Sequence, residues 1–283
     1  MGKFYNNFKT AMLLGTLTAL ILFIGHLLGG TNGVMIALIF AAIMNFVGYF
    51  FSDKIALMAM RAQQVGPDHE LYQIVEELVQ RTDMPMPRVY VSPTQAPNAF
   101  ATGRNPKNAA VCATAGLLQV LDRNEVAGVM AHELAHVKHR DILIQSVAAT
   151  IGGAISMLAY MFMFGGNRRE GGHPIVALLV LLLGPLAAGL IQAAISRSRE
   201  YNADTEGANI CGNPMYLATA LEKIHMMAKR IPMQVNPAFN SMFIAEPKNV
   251  IGGIANMFAT HPPLEKRLLN LVGRESTGRV GYR

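Results

Sequence analysis

Two histidines and a glutamate in the segment His132-Glu133-Leu134-Ala135-His136 carry the clearest chemical signal in this sequence. On a helix, residues four apart share one face, so both imidazoles can reach a single metal ion. A glutamate directly after the first histidine lies close to the open coordination position, where it can act as a general base. The segment therefore predicts a zinc hydrolase with His132 and His136 as metal ligands and Glu133 as catalytic base. The alternative is that the histidines are merely polar residues near a membrane surface.

A catalytic zinc site takes three protein ligands, so one more is needed. His139 is the nearest candidate, but at 1.5 Å per residue it lies about 10 Å from His132 along the helix. Imidazoles that bond zinc at about 2 Å cannot converge over that span together with His136. The third ligand is expected from another segment, and His139 is interpreted as a surface residue near lipid headgroups.

A second acidic pair stands in the run SRSREYNAD at 196–204. Glu200 and Asp204 are four residues apart and share a helix face, so one can bind zinc while the other accepts a hydrogen bond from a ligating imidazole. This spacing resembles the gluzincin pattern. Taken alone, the pair would be better explained as a solvated helix start in salt bridges with Arg197 and Arg199. Its occurrence together with the histidine motif favours the metal site.

The composition of the 283 residues indicates a membrane protein. Hydrophobic residues make up 52% and charged residues only 15%, which is too apolar for an ordinary soluble domain. The net charge of +6 is spread along the chain without interleaved aromatics, so nucleic-acid binding is not predicted. Cys112 and Cys211 are too few for a disulfide framework, which favours a reducing compartment.

Four apolar stretches are long enough to cross a bilayer. They cover residues 11–28, 34–51, 142–164 and 174–195. The first is interpreted as a retained signal anchor, because no cleavage site follows it and the second stretch comes almost at once. Basic residues flank the outer ends of the first pair, whereas the connection 29–33 carries no charge. The positive-inside rule therefore places the N-terminus and residues 52–141 in the cytoplasm.

The short connection 165–173 conflicts with four full crossings, because it contains Arg168, Arg169 and Glu170 and would lie outside. A third and fourth stretch that enter the membrane only partway, or that line a protein cavity, would remove this conflict. Four crossings and partial entry both remain open at this point.

The elements between the apolar stretches follow from periodicity and turn residues. A helix is predicted over 70–81, strands over 88–92, 98–103 and 109–113, a helix from Arg123, and further helices over 196–209, 214–229 and 262–273. Asp122 and Glu125 form a capping box for the helix at Arg123. Because no proline interrupts 123–164, this helix is predicted to continue into the third span. Residues 230–260 lack periodicity and are interpreted as a covering segment, a gate by hypothesis.

The predicted fold is a mainly α membrane protein with about four transmembrane helices and a cytoplasmic α+β zincin domain, gluzincin-like, that carries a small β-sheet. The predicted divisions are 1–52 for the first two spans, 53–141 for the part with the histidine motif, 142–195 for the next two spans, and 196–283 for the part with the Glu ligand. His136 would then lie only about 10–15 Å outside the membrane. The predicted active site is therefore juxtamembrane.

Four runs together resemble the HtpX-type heat-shock membrane metalloproteases, relatives of the CAAX prenyl endoproteases. They are PNAFATG at 97–103, HELAHVKHRD at 132–141, SRSREYNAD at 196–204 and THPP at 260–263. The resemblance spans nearly the whole chain and implies that Glu200 is the third zinc ligand, with Asp204 beside it. It also implies that 98–101 is the edge strand that pairs with an extended peptide, with Asn98 near the site, and that His261 lies near the cleft. Without the resemblance, Asn98 would be a turn residue and His261 a helix cap.

The predicted activity is zinc-dependent endoproteolysis with one Zn²⁺ per chain. Glu133 would act as base and then as acid, and His261, Arg197 or Tyr201 would stabilise the oxyanion. The resemblance and the juxtamembrane site imply misfolded or damaged membrane proteins as substrates, in a bacterial inner membrane and on its cytoplasmic side. The alternatives are a CAAX-type processing protease and a zinc-binding membrane scaffold or transporter without hydrolytic activity. A homo-oligomer is left open.

Overall fold

The computed structural model of the chain describes residues 2–144, 146–147, 197–228 and 262–273. The helices are α1 (Gly2–Ala59), α2 (Glu70–Val79), α3 (Ala115–Val120), α4 (Arg123–His139), α5 (Arg197–Cys211), α6 (Pro214–Ala228) and α7 (Leu264–Val272). The strands are β1 (Gln63–Gln64), β2 (Arg88–Ser92), β3 (Ala99–Gly103) and β4 (Ala109–Thr114). A mainly helical chain with a small sheet is thereby confirmed. Most of the third predicted span, the fourth span and the predicted covering segment lie outside the described residues.

Helix α1 turns back on itself at Gly30. The φ of Gly30 is 56°, a left-handed conformation that glycine adopts at little cost. Asn45 Nδ2 donates a hydrogen bond of 2.9 Å to Thr18 Oγ1 across 27 residues. In one straight helix these residues would lie about 40 Å apart at 1.5 Å per residue. The two arms of α1 are therefore antiparallel, which is the arrangement expected of the first two predicted spans.

The second arm of α1 has the character of a membrane helix. Among the described residues, Gly30–Ala59 is the helix that is long and apolar enough to cross a bilayer, with a mean hydropathy of 2.3. Large apolar side chains stand exposed along it, and Ile36, Ile39 and Phe46 each expose more than half of their surface. An outward-facing apolar surface of this kind suits contact with lipid.

The four-stranded sheet has the order β1-β2-β4-β3 and is mixed. β2 and β4 are parallel, whereas β1 and β3 each pair antiparallel with their neighbours. One face packs against α2 and α4, and the other receives the last turns of α1, where Ala56 and Leu57 contact Phe100 and Cys112. Among the described strands, β3 lies at the edge of the sheet, as the resemblance implied.

Helix α4 begins as predicted but ends earlier. Asp122 and Glu125 form both hydrogen bonds of the capping box. At the other end, Arg140 adopts φ 62° and ψ 33°, and Asp141 N donates to His136 O at 3.0 Å. This is a Schellman-type end, which stops the helix. The prediction of one helix from Arg123 into the third span is therefore wrong: the chain turns at Arg140 and resumes helical structure at Ile142.

Close helix contacts position α4 against the C-terminal helices. A Cβ on Gly207 of α5 would lie 2.8 Å from the backbone N of His132, and a Cβ on Gly128 of α4 would lie 2.5 Å from the backbone N of Leu217 in α6. Both positions need glycine, because a methyl group would overlap backbone. The absence of a side chain at Gly207 lets α5 approach α4 at the level of the histidine motif.

Candidate metal centre

Three side chains from α4 and α5 converge in the protein interior. His132 and His136 point their Nε2 atoms at each other, 3.3 Å apart. Glu200 lies 3.7 Å from His132 Nε2 through Oε2 and 3.6 Å from His136 Nε2 through Oε1. All three residues are buried. Together they are able to hold a metal ion.

The spacing of these atoms fits zinc. Bonds of about 2.0–2.2 Å in a tetrahedral arrangement place neighbouring donor atoms roughly 3.3–3.6 Å apart. The separations of 3.3, 3.6 and 3.7 Å are close to that value. Two imidazoles and one carboxylate also form a ligand set typical of catalytic zinc, which leaves a fourth position open. The arrangement of His132, His136 and Glu200 therefore meets both the chemical and the geometric requirement.

Each imidazole is held from its other nitrogen by a carboxylate. His132 Nδ1 lies 3.0 Å from Asp204 Oδ1, and His136 Nδ1 lies 3.3 Å from Asp141 Oδ2. A proton on Nδ1 that faces a carboxylate leaves the lone pair of Nε2 free to bind a metal. Asp204 and Asp141 thus favour the tautomer that metal binding needs at both histidines.

Each of these carboxylates is backed by an arginine. Arg267 of α7 donates from Nε to Asp204 Oδ2 at 2.9 Å and from Nη2 to Asp204 Oδ1 at 2.5 Å. Arg199 of α5 places Nη1 3.6 Å from Asp141 Oδ1. The described residues therefore contain two matching chains, Arg267–Asp204–His132 and Arg199–Asp141–His136. These two chains bring together α4, the turn that follows it, α5 and α7 at the centre.

The buried charges around the centre favour a divalent cation. Four carboxylates are present, from Glu133, Asp141, Glu200 and Asp204, and two guanidinium groups, from Arg199 and Arg267. With both histidines neutral, as metal binding requires, these six groups carry a net charge of −2, which is costly in the interior unless a cation balances it. A Zn²⁺ ion would balance this charge.

The pKa values of the two histidines reflect this charge distribution. Burial lowers the pKa of His132 to about 4, since the hydrogen bond to Asp204 only partly opposes it. Burial also lowers the pKa of His136, but the negative charges of Glu200, Asp141 and Glu133 outweigh it and raise that pKa to about 9. Three carboxylates around His136 thus attract positive charge to this point.

The carboxylate of Asp204 is kept ionised by its arginine. Burial alone would raise the pKa of Asp204, but the charge and hydrogen bonds of Arg267 lower it below its usual value. The same pairing raises the pKa of Arg267 despite its complete burial. Asp204 is therefore a charged acceptor for His132.

Glu133 lies beside the centre on α4. It is buried, and its charge acts on both His136 and Arg267. Its position in the helix directly after His132 follows from the motif. This is the position in which a general base can reach water next to the metal.

The structure describes some of the remaining predicted site residues and not others. Asn98 is buried just before β3, and its backbone N–H donates to Thr114 Oγ1 at 2.9 Å. Tyr201 is half-buried on α5 beside Glu200. His139 is the last residue of α4 and is half-buried, and it does not belong to the group of three candidate ligands. The side chain of Arg197 and all of His261 lie outside the described residues.

Sequence analysis did not single out Asp141, Arg199 or Arg267 as supports of the site. Asp141 follows the motif by five residues, but a continuous helix would have pointed it away from His136. Arg199 stands within the run that contains Glu200, where it was interpreted as a surface ion pair. Arg267 lies 63 residues beyond Asp204, so no local pattern could connect the two.

Comparison with known proteins identifies the family of the chain. A model of peptidase family M48 matches residues 66–275. A protein named Protease HtpX homolog from Desulforapulum autotrophicum is 52% identical over 276 residues, covering 94% of this chain and 89% of that protein. Another of the same name from Burkholderia ambifaria is 52% identical over 283 residues, covering 97% of this chain and 99% of that protein.

A solved structure shares the fold. The crystal structure of S. mikatae Ste24p matches with a TM-score of 0.53 and 18% sequence identity. The match covers 94% of this chain and 65% of the Ste24p chain, so this chain spans just under two thirds of that protein.

Proposed function

As the chain belongs to peptidase family M48, we propose that it is a zinc-dependent endopeptidase that hydrolyses misfolded or damaged membrane proteins on the cytoplasmic side of the membrane. The family, the relatives at 52% identity and the apolar helix make it a membrane metalloendopeptidase.

The observation that carries the zinc assignment is the convergence of His132, His136 and Glu200. Their donor atoms lie within 4.8 Å of one another, and once both histidines are neutral the surrounding carboxylates and guanidinium groups carry a net charge of −2 that a divalent cation would balance. A scaffold that only bound zinc would not need Glu133 beside the ligands. The buried Glu133 therefore supports hydrolysis over a purely structural role.

A zinc ion held by His132, His136 and Glu200 would supply a Lewis acid for the scissile carbonyl and would lower the pKa of water toward about 7. Glu133 accepts the proton of the attacking water at its carboxylate and passes it to the nitrogen of the leaving amine. Asp204 and Asp141 hold the two imidazoles in the required tautomer throughout. Arg197, Tyr201 and His261 are the candidate donors for the carbonyl oxygen as it gains negative charge.

The expected substrates follow from where the site lies. In this proposal an extended peptide pairs with β3, which lies at the edge of the described sheet, and Asn98 stands at its start. Thr102 of β3 exchanges a hydrogen bond of 2.7 Å with Ser146, which belongs to the predicted third span. This contact supports a site close to the membrane surface, within reach of segments that emerge from the bilayer.

The proposal is tested with the full chain in lipid nanodiscs and three substrates: an unfolded membrane protein, casein and a prenylated peptide. We expect cleavage of the unfolded membrane protein, its loss with a zinc chelator, and its recovery when zinc is returned. The orientation of the active site is tested with membrane proteins whose unfolded segment lies on one side of the membrane. Cleavage of the prenylated peptide alone would instead establish a CAAX-type processing protease.

A further inference from the structure

A basic pocket lies at the C-terminal end of α4. Its volume is about 490 Å³, and its lining includes Asp83, Asn105, Lys107, Lys138 and Arg140. These residues come from three segments: the turn before β2, the connection between β3 and β4, and the end of α4. No residue assigned to the metal centre lines it.

The pocket lies where the chain meets the membrane. The guanidinium of Arg104 stands 5.4 Å from the ring centroid of Phe50, which belongs to the second arm of α1. Thr102 contacts Ser146, just beyond the point at which the chain enters the third predicted span. Asn105 directly follows Arg104 in the sequence. The connection between β3 and β4 therefore lies beside residues of the second and third predicted spans.

The second wall of the pocket lies beside the same two predicted spans. Arg140 is followed within two residues by Ile142, where helical structure resumes at the start of the third predicted span. Val147 of that helix lies 3.9 Å from the position of a Cβ on Gly48 of α1. Both walls of the pocket thus meet the membrane-facing end of the protein.

The charge of the pocket is positive. Lys107, Lys138 and Arg140 supply three cations against the single carboxylate of Asp83. Lys138 is neutralised by Glu206, whose Oε1 lies 2.5 Å from its Nζ. Within the described residues, neither Lys107 nor Arg140 forms an ion pair with a carboxylate. Lys107 and Arg140 are therefore available to an anionic ligand, and the pocket keeps a net charge of +1 once Asp83 and Glu206 are both counted.

The backbone of Arg140 gives an independent reason to expect function here. Its φ of 62° lies in the left-handed region, where glycine is the usual residue at a helix end. A residue with a side chain costs about 1–2 kcal/mol more in this conformation. Backbone strain of this kind is characteristic of functional positions. Arg140 is one of the residues that line the pocket, and a glycine at this position would carry no charge.

We propose that this pocket binds the phosphate group of an anionic membrane lipid. A guanidinium binds phosphate oxygens through paired hydrogen bonds, and an ammonium adds a point charge. Basic pockets at the membrane surface hold anionic lipid headgroups by the same interactions. The volume of about 490 Å³ accommodates a glycerophosphate headgroup, and its location presents it to the bilayer rather than to the peptide cleft.

The test uses the full chain in nanodiscs that contain phosphatidylcholine with a small fraction of pyrene-labelled phosphatidylglycerol. Binding of the labelled lipid is compared for the wild type, Arg140→Gly, Lys107→Gln and the double variant. Arg140→Gly removes the charge while it relieves the backbone strain, so it should fold at least as well as the wild type. The control is Arg123→Gln with Lys266→Gln, which removes the same charge from exposed positions on α4 and α7.

We expect each pocket substitution to weaken binding of the anionic lipid about five-fold, and the double variant about twenty-five-fold, from the usual attraction of one basic residue to an anionic membrane. The control should keep wild-type binding. Equal binding in the double variant and the wild type would overturn the proposal. A parallel titration with inorganic phosphate separates the sources: saturable phosphate binding without enrichment of the anionic lipid would overturn the lipid as ligand.

Discussion

Arg267 and Asp204 form a buried bidentate ion pair that connects the C-terminal helix to a ligand of the metal centre. Their two hydrogen bonds measure 2.9 and 2.5 Å, and both side chains are almost completely buried. Asp204 in turn contacts His132 Nδ1 at 3.0 Å. The orientation of one candidate metal ligand therefore depends on a residue from a distant part of the chain.

Substitution of Arg267 should weaken metal binding. Arg267→Ala leaves Asp204 buried without its guanidinium, and loss of such an outer contact typically reduces metal affinity about 10–100-fold. Arg267→Lys keeps the charge but cannot form both hydrogen bonds, so its affinity should be intermediate. Competition for zinc against a chromophoric chelator measures the effect. Lys266→Ala, at the exposed neighbouring position, is the control, and a wild-type zinc affinity in Arg267→Ala would contradict the role.

Asp141 should support the other histidine in the same way. Asp141→Ala removes the acceptor of His136 Nδ1 and is expected to lower zinc affinity about 10–100-fold. Asp141→Asn retains an acceptor oxygen without charge, so its zinc affinity should fall less than that of Asp141→Ala. The same competition assay applies, with Asp68→Ala on the exposed loop before α2 as the matched loss of a carboxylate. Equal affinities in Asp141→Ala and Asp68→Ala would argue against a role for this residue.

Gly207 should be required for the approach of α5 to α4. In Gly207→Ala the new methyl group would lie 2.8 Å from His132 N and 2.9 Å from His132 Cα, so the helices must separate. Overpacking of this kind costs about 1–3 kcal/mol, and it moves Glu200 away from the histidines. We expect a lower thermal midpoint together with weaker zinc binding. Gly15→Ala, a helical position with nothing within 4 Å, is the control; equal zinc affinity in both variants would count against the helix contact.

The hairpin in α1 can be tested by cross-linking. The hydrogen bond between Thr18 and Asn45 predicts that Thr18→Cys with Asn45→Cys reacts with a short bifunctional thiol reagent in membranes. Thr18→Cys with Met58→Cys is the negative control, because Met58 lies about 20 Å further along the second arm. Peptide mapping identifies the product. Failure of the first pair to cross-link, with both thiols reactive toward a monofunctional reagent, would show that the arms are not adjacent.

The parts of the structure that sequence predicted best are those governed by local rules. The capping box at Asp122 and the strands predicted over 88–92, 98–103 and 109–113 depend on neighbouring residues. They agree with the structure within one residue. The convergence of His132, His136 and Glu200 was also expected, since helix periodicity and the family resemblance both indicate it.

The features that sequence did not predict depend on the tertiary structure. Arg140 is neither glycine nor proline, so nothing local indicated that α4 would stop there. The break is what allows Asp141 to reach back to His136, and it becomes apparent only once both side chains are in place. Arg267 likewise pairs with Asp204 because α7 packs against α5, a contact that no spacing in the sequence encodes.

The most direct test of the account measures zinc content and peptide cleavage together in purified wild type, Glu133→Gln and Glu200→Ala. We predict that Glu133→Gln retains one zinc per chain and loses cleavage by about 10²–10⁴-fold, because only the base is removed. Glu200→Ala should lose both zinc and cleavage, because a ligand is removed. Wild-type cleavage by zinc-loaded Glu133→Gln, or an unchanged zinc content and affinity in Glu200→Ala, would contradict the proposed centre.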